Sequence, residues 1–306
     1  MFDLHFHSDA SDGLATLETV RAKVAASPLT LLALADHDTI VASVQLARIE
    51  PRAWIAAELT SYLGEHRVDV LGLHLAPDYP ELNDYLTQRS AERRARFLLF
   101  GEVLRGDGWV FEPSEETLAR PQLTSPHVAA ELRRQPANAV RLTNLGIALD
   151  WTVDRDIESA DDPIYALVLD HFNELIREQT EVAVVETTEM VKLIHRAGGL
   201  AVVAHPWLEP YSLGQTPFSQ AREMLDSLVA VGLDGLELWH HTQTEPAVRT
   251  ELTRYLARHE LLTTAGSDDH SSDLHRLGTA LPPEVNGQVL YEQICQAALC
   301  RAAEAG

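Results

Sequence analysis

The chain contains 14 histidines and 46 acidic residues, and several of them form short clusters with spacing suited to metal chemistry. His5 and His7 stand two apart in FDLHFH, so on a strand they share one face. Asp9 and Asp12 follow them, and Asp36, His37 and Asp38 follow the apolar run LLALA. Glu58 closes a third apolar run, His74 a fourth, His205 follows LAVVA, and Asp268 and His270 follow LLTTA. Imidazole nitrogens and carboxylate oxygens without cysteine suit zinc, manganese or iron. A carboxylate such as Glu58 could bridge two ions a few Å apart, as two-metal hydrolases require.

The elements that position these residues are strands alternating with helices. Strands are expected at 2–7, 31–35, 53–60, 68–75, 200–204, 235–239 and 261–265, the third and fourth joined across Gly64 in a hairpin-like turn. Helices are expected at 17–26, 39–49, 188–196, 220–231, 245–259 and 288–303. Thr16 is placed to cap the first helix, and Gly198 and Gly199 to end the one before residue 200. This alternation favours a parallel α/β barrel, in which strand C-terminal ends meet on one rim. Residues 80–105 read as one long, arginine-bearing helix, and 113–180 as further helices and connections. The domain reading is therefore a barrel of residues 1–76 and 181–306, with 77–180 a helical insertion covering the site.

Composition sets outer limits. A formal charge of −22 disfavours gripping duplex nucleic acid, but bound cations can reverse the sign locally for a small phosphorylated substrate. The two cysteines, Cys295 and Cys300, fit neither a disulfide framework nor a Cys-x-x-Cys site. The N-terminal residues carry no basic region followed by an apolar core, and no apolar run approaches the ~20 residues of a membrane helix. The expectation is a cytoplasmic protein without a membrane partner.

In their order, DLHFHSDASDG (3–13), LLALADHDT (31–39), AAELTS (56–61), GGLAVVAHPW (198–207), GLDGLEL (232–238) and TAGSDDH (264–270) resemble the successive motifs of the PHP (polymerase and histidinol phosphatase) family. The similarity is greatest to its stand-alone phosphoesterases acting on nucleotides or RNA 5′ ends. The resemblance implies a distorted (β/α)7 barrel holding two or three divalent ions. It implies that His5, His7, Glu58 and Asp268 hold one ion and Asp12, His37 and His270 a second, with Glu58 and His205 contributing to a third.

Departures from the family pattern are informative. On the fourth strand, Asp69 of VDVLGLH stands where many relatives carry a ligand histidine, whereas His74 matches other branches. The two are five apart, so a regular strand puts them on opposite faces, and His74 is the preferred ligand. In LTSPHVAAEL (123–132), His127 is retained but Ser125 replaces an arginine that the resemblance assigns to phosphate binding; a helix-start role is the other reading of His127. The acidic ESADDPIYALVLD (158–170) replaces a stretch rich in glycine and lysine. His240 lies beyond a strand end on the expected rim, as a substrate contact or a packed strand end.

The function expected is hydrolysis of a small phosphorylated substrate, of nucleotide or short oligonucleotide class, by a metal-bridging hydroxide. Asp268 and His205 are the expected catalytic residues, with His240 a further candidate to protonate the leaving oxygen. The alternatives are hydrolysis of a C–N or ester bond by the same hydroxide, and an inert module used for binding.

Overall fold

The structure, a computed structural model, describes residues 1–145, 168, 185–206, 218–241 and 245–305. Seven strands lie in sequence order: β1 (Phe2–Phe6), β2 (Leu31–Leu34), β3 (Ala53–Leu63), β4 (His66–Leu73), β5 (Leu200–Val203), β6 (Gly235–Trp239) and β7 (Leu262–Ala265). Two backbone hydrogen bonds bring the last strand's exit onto the first, Asp268 N to His5 O at 2.7 Å and His7 N to Asp269 O at 3.1 Å. The sheet is thereby nearly closed into a barrel.

The parallel order expected of the barrel is broken at β4, which runs antiparallel to both β3 and β5, as the hairpin-like turn expected at Gly64 requires. The cause is local. Leu63 pairs with His66, leaving only Gly64 and Glu65 to make the turn. Two residues allow a hairpin but no crossover, and Gly64 at φ 62° supplies the left-handed backbone that such a turn needs. The entry of β4 therefore lies at the rim where the other strands exit, and its exit lies at the opposite end of the barrel.

Helices cover the outside. α1 (Leu17–Ala26) begins at Thr16, whose side chain accepts from Thr19 N, and α2 (Val41–Ala47) follows β2. α3 (Pro80–Gly106) is the long helix; α4 (Glu115–Leu118), α5 (Ser125–Arg134) and α6 (Ala139–Asn144) come after it. α7 (Thr187–Arg196), α8 (Phe218–Ala230), α9 (Pro246–His259) and α10 (Gly287–Ala305) alternate with the remaining strands. Met190, Val191 and Ile194 of α7 pack on Leu59, Val70 and Val203, the outward residues of β3 to β5. The inward residues of β3 and β4 are Ala56, Glu58 and Thr60, and Arg67, Asp69 and Leu71, as strand alternation dictates.

α3 belongs to two cores. Leu82 and Leu86 join the barrel-side cluster, whereas Phe97, Phe100 and Leu104 pack with Trp109, Phe111, Val128 and Leu132. Burying each such ring contributes about 2–3 kcal/mol, so this segment has an apolar centre of its own. Its ties to the rim are polar: Arg120 Nη1 donates to Asp9 O at 2.9 Å and Gln122 Nε2 to Asp38 O at 2.7 Å. Among the described residues, no helix is long and apolar enough to cross a membrane.

Candidate metal centre

His5 and His7 point to the same side at the exit of β1 and are fully buried. His5 Nδ1 lies 3.2 Å from Glu237 Oε1, a carboxylate that can only accept, so Nδ1 carries a proton and Nε2 is the nitrogen that faces the site. That Nε2 lies 3.1 Å from His7 Nε2, 3.3 Å from Glu58 Oε2 and 3.4 Å from Asp268 Oδ1. His7 Nε2 lies 3.4 Å from the same Glu58 oxygen and 3.1 Å from the same Asp268 oxygen. Two ring nitrogens thus share the same two carboxylate oxygens as neighbours, a set of donor types that suits zinc and similar divalent ions.

A second group adjoins the first. His37 Nε2 is 3.5 Å from Asp12 Oδ2, His270 Nε2 is 3.5 Å from Asp12 Oδ1, and His7 Nδ1 is 3.7 Å from that oxygen. Asp12 Oδ1 is buried without a hydrogen-bond donor, which such an atom rarely tolerates unless a cation is meant to meet it. His37 Nδ1 comes within 3.1 Å of Glu58 Oε2, so this one oxygen faces both groups.

The electrostatics demand positive charge. Burial raises the pKa of Asp12, Glu58 and Asp268, but the surrounding imidazoles overcome it and hold all three well below the usual carboxylate range. Burial also opposes protonation of His7 and His205, yet hydrogen bonds to Glu58, joined at His7 by Asp268, push both up to about 9. Buried carboxylates that pull protons onto their neighbours in this way would equally hold cations.

Several buried acids support the donors. Asp36 accepts from Ser8 N at 2.8 Å and Ser11 Oγ at 2.6 Å, fixing the loop that carries Asp12. Asp3 accepts from His5 N, Ser267 N and Gly278 N; burial nevertheless pushes its pKa up to about 6. Asp38 accepts from Arg93 and from Tyr85 Oη, tying α3 to the loop after β2. Gly266 is required, since a Cβ there would lie 2.2 Å from both Glu237 Oε1 and His5 Cβ. Asp38, His205 and Asp268 adopt positive φ (48°, 25° and 47°), strain of the kind that collects at functional sites.

Other expected site residues divide. His205 Nε2 lies 2.8 Å from Glu58 Oε1, and Asp69 joins these two in a third group. His74 is not brought to the cluster: the antiparallel run of β4 carries it to the opposite end, where its ring meets Trp54 edge-on at 5.0 Å. His240 is buried with Nε2 3.1 Å from Asp268 Oδ2, and His241 lies beside it. His127 Nδ1 accepts from Thr124 N at 3.0 Å, the capping arrangement at the start of α5, and burial lowers its pKa to about 4. Residues 158–167, 169 and 170 of the acidic stretch lie outside the described residues. Sequence reasoning missed Glu237; its signal was a lone acid in the apolar strand GLELW.

No family model matches the chain. It is 27% identical over 289 residues to the 5′-3′ exoribonuclease Rnm of Salmonella typhimurium, covering 88% of this chain and 85% of that protein. It is 28% identical over 282 residues to the phosphoribosyl 1,2-cyclic phosphate 1,2-diphosphodiesterase of Eggerthella lenta, covering 88% and 93%. A third relative is the 3′,5′-nucleoside bisphosphate phosphatase of Chromobacterium violaceum, 29% identical over 277 residues, covering 88% and 87%. Among solved structures, a protein assigned as a metal-dependent phosphoesterase from Bifidobacterium adolescentis superposes with TM-score 0.70 at 25% identity, covering 98% of this chain and 96% of that one. A Chromobacterium violaceum structure described as an amidohydrolase with bound sulfate shares the fold, with TM-score 0.66 at 24% identity over 98% and 96% of the two chains.

Fold, donor cluster and relatives together define the class: a metal-dependent hydrolase of phosphoric esters. The relatives are phosphoesterases of the kind that the PHP resemblance implies.

Proposed function

We propose that this chain hydrolyses phosphoesters of small nucleotides or short single-stranded oligonucleotides, with two divalent ions held at the rim. His5, His7, Glu58 and Asp268 are assigned to one ion, and Asp12, His37 and His270 to the other, with Glu58 between them. The observation that carries this reading is the convergence of donors: His5 Nε2 and His7 Nε2 lie 3.1 Å apart, and each is within 3.4 Å of both Glu58 Oε2 and Asp268 Oδ1. Manganese, zinc or iron would all suit such donors.

Ions bound there supply Lewis-acid charge to the phosphoryl oxygens and make water nucleophilic near neutral pH. The chain's own groups do the rest. Glu237 holds the proton of His5 on Nδ1, which leaves Nε2 free to ligate. His240 must carry its proton on Nε2 to meet Asp268 Oδ2, and this turns Asp268 Oδ1 toward the two ligand histidines. His240 is buried beside the exposed His241, where a leaving oxygen would pass; His205 keeps its Nε2 proton on Glu58.

The relatives' names all concern phosphoesters of nucleotides, ribosyl phosphates or RNA, which supports that substrate class here. The net charge of −22 favours a small or single-stranded substrate over a duplex. The segment 77–180 is proposed as a cover; in its described part, Arg120 and Gln122 dock onto the loops bearing Asp9 and Asp38. The two free cysteines fit a reduced, cytoplasmic setting.

The test is a panel of nucleoside bisphosphates, cyclic phosphates, short RNA oligomers, carboxylic esters and amides, presented to the metal-loaded chain. Turnover confined to phosphoesters, and lost in folded His7→Ala and Asp268→Ala, is the expected outcome. Full activity in both variants would refute the assignment.

A further inference from the structure

The three donor groups at the rim are not built alike. In the first, ring nitrogens and carboxylate oxygens approach one another at 3.1–3.4 Å. In the third, formed by Glu58, Asp69 and His205, one carboxylate is already held by a cation of the chain itself. His205 Nε2 is 2.8 Å from Glu58 Oε1. Asp69 presents both oxygens to a guanidinium: Arg67 Nε donates to Oδ1 at 3.2 Å and Arg67 Nη2 to Oδ2 at 2.9 Å.

This fork is dictated by the strand. Arg67 and Asp69 are two apart on β4 and share its inward face. Because β4 runs antiparallel, they stand at its entry, which is the rim. Asp69 is buried, but the Arg67 side chain is 33% exposed, so the guanidinium closes the third group on its outer side. Its charge also reaches Glu58, which stabilises the protonated form. A fixed bidentate pair satisfies the carboxylate, and its positive charge repels a nearby divalent ion.

Resting on the metal-dependent reading above, we propose that Arg67 takes the place of a third cation, neutralising Asp69 and restricting the centre to two divalent ions. The third group is then a permanent salt bridge beside the metal pair. Removing the guanidinium would leave Asp69 as a buried, unpaired charge, and that deficit would draw in an ion.

The experiment is equilibrium dialysis of the wild-type chain and Arg67→Met against excess manganese, with elemental analysis and anomalous scattering to count and place the ions. Wild type should hold about two ions and Arg67→Met about three, the added one between Glu58, Asp69 and His205. The double variant Arg67→Met/Asp69→Asn should return to about two. About three ions on the wild-type chain, or about two on a folded Arg67→Met, would overturn the inference and leave the metal-dependent reading standing. A wild-type chain that binds no ion would instead sink that reading, and this inference with it. Should Arg67→Met fail to fold, the wild-type count decides alone.

Discussion

Replacing Glu237 by glutamine changes one oxygen for an NH2 group and should weaken the metal centre without removing a ligand. Glu237 is completely buried, and its two oxygens lie 3.2 and 3.3 Å from His5 Nδ1 and, for Oε2, 2.9 Å from His205 N. Burial works against its charge, but His5 beside it keeps the carboxyl below the usual range. In the glutamine variant the amide oxygen can serve His205 N, but the NH2 then faces the His5 Nδ1 proton. Gly266 packs against Oε1 and leaves the side chain no room to turn away. His5 must rotate or move its proton to Nε2, where it blocks the ligand lone pair. Losing a carboxylate behind a ligand histidine costs about 10–100-fold in metal affinity, or about 1.4–2.8 kcal/mol. Competition with a chromophoric chelator at pH 7.5 measures this directly. An affinity within about twofold of wild type, under conditions where His5→Ala has lost the ion, would refute the positioning role.

Arg93→Ala should lower stability by about 3 kcal/mol, because buried Asp38 would keep Tyr85 Oη and Thr60 N as donors but only the distant Arg89, 3.9 Å away, as a guanidinium partner; urea unfolding measures it, and cleavage of α3 by protease should rise in parallel. His127 has a folded pKa of about 4 against about 6.5 unfolded, so the unfolded chain binds more protons between those values. Stability is complete above about pH 6.5 and falls by about 3 kcal/mol as pH drops toward 4. His127→Gln, which keeps a capping side chain at that position, should remove this part of the acid sensitivity relative to wild type in parallel melts. His74→Ala should leave metal content and turnover unchanged, because the ring packs on Trp54 away from the donors; a lost ion would contradict the placement.

Much of the site was legible because each donor is announced locally, by an ionisable residue immediately after an apolar strand. His5 and His7, Asp12, His37, Glu58, His205, Asp268 and His270 all lie together as that pattern suggests. The direction of a strand is not written in its alternation, since period two is the same whichever way the chain runs. For that reason Asp69 and His74 could not be ordered correctly from spacing: only the hairpin at Gly64, which reverses β4, decides which one meets the rim. Glu237 was hidden for another reason. A single acid in an apolar strand shows its role only once its partner, His5, is found 232 residues away. His127 shows the converse, a motif histidine whose Nδ1 is already engaged by its own helix start.

Anomalous diffraction from manganese-soaked crystals tests the central claim most directly. The account predicts one peak enclosed by His5, His7, Glu58 and Asp268 and a second enclosed by Asp12, His37 and His270. Crystals with neither peak at saturating manganese, or with ions bound only elsewhere on the acidic surface, would contradict it.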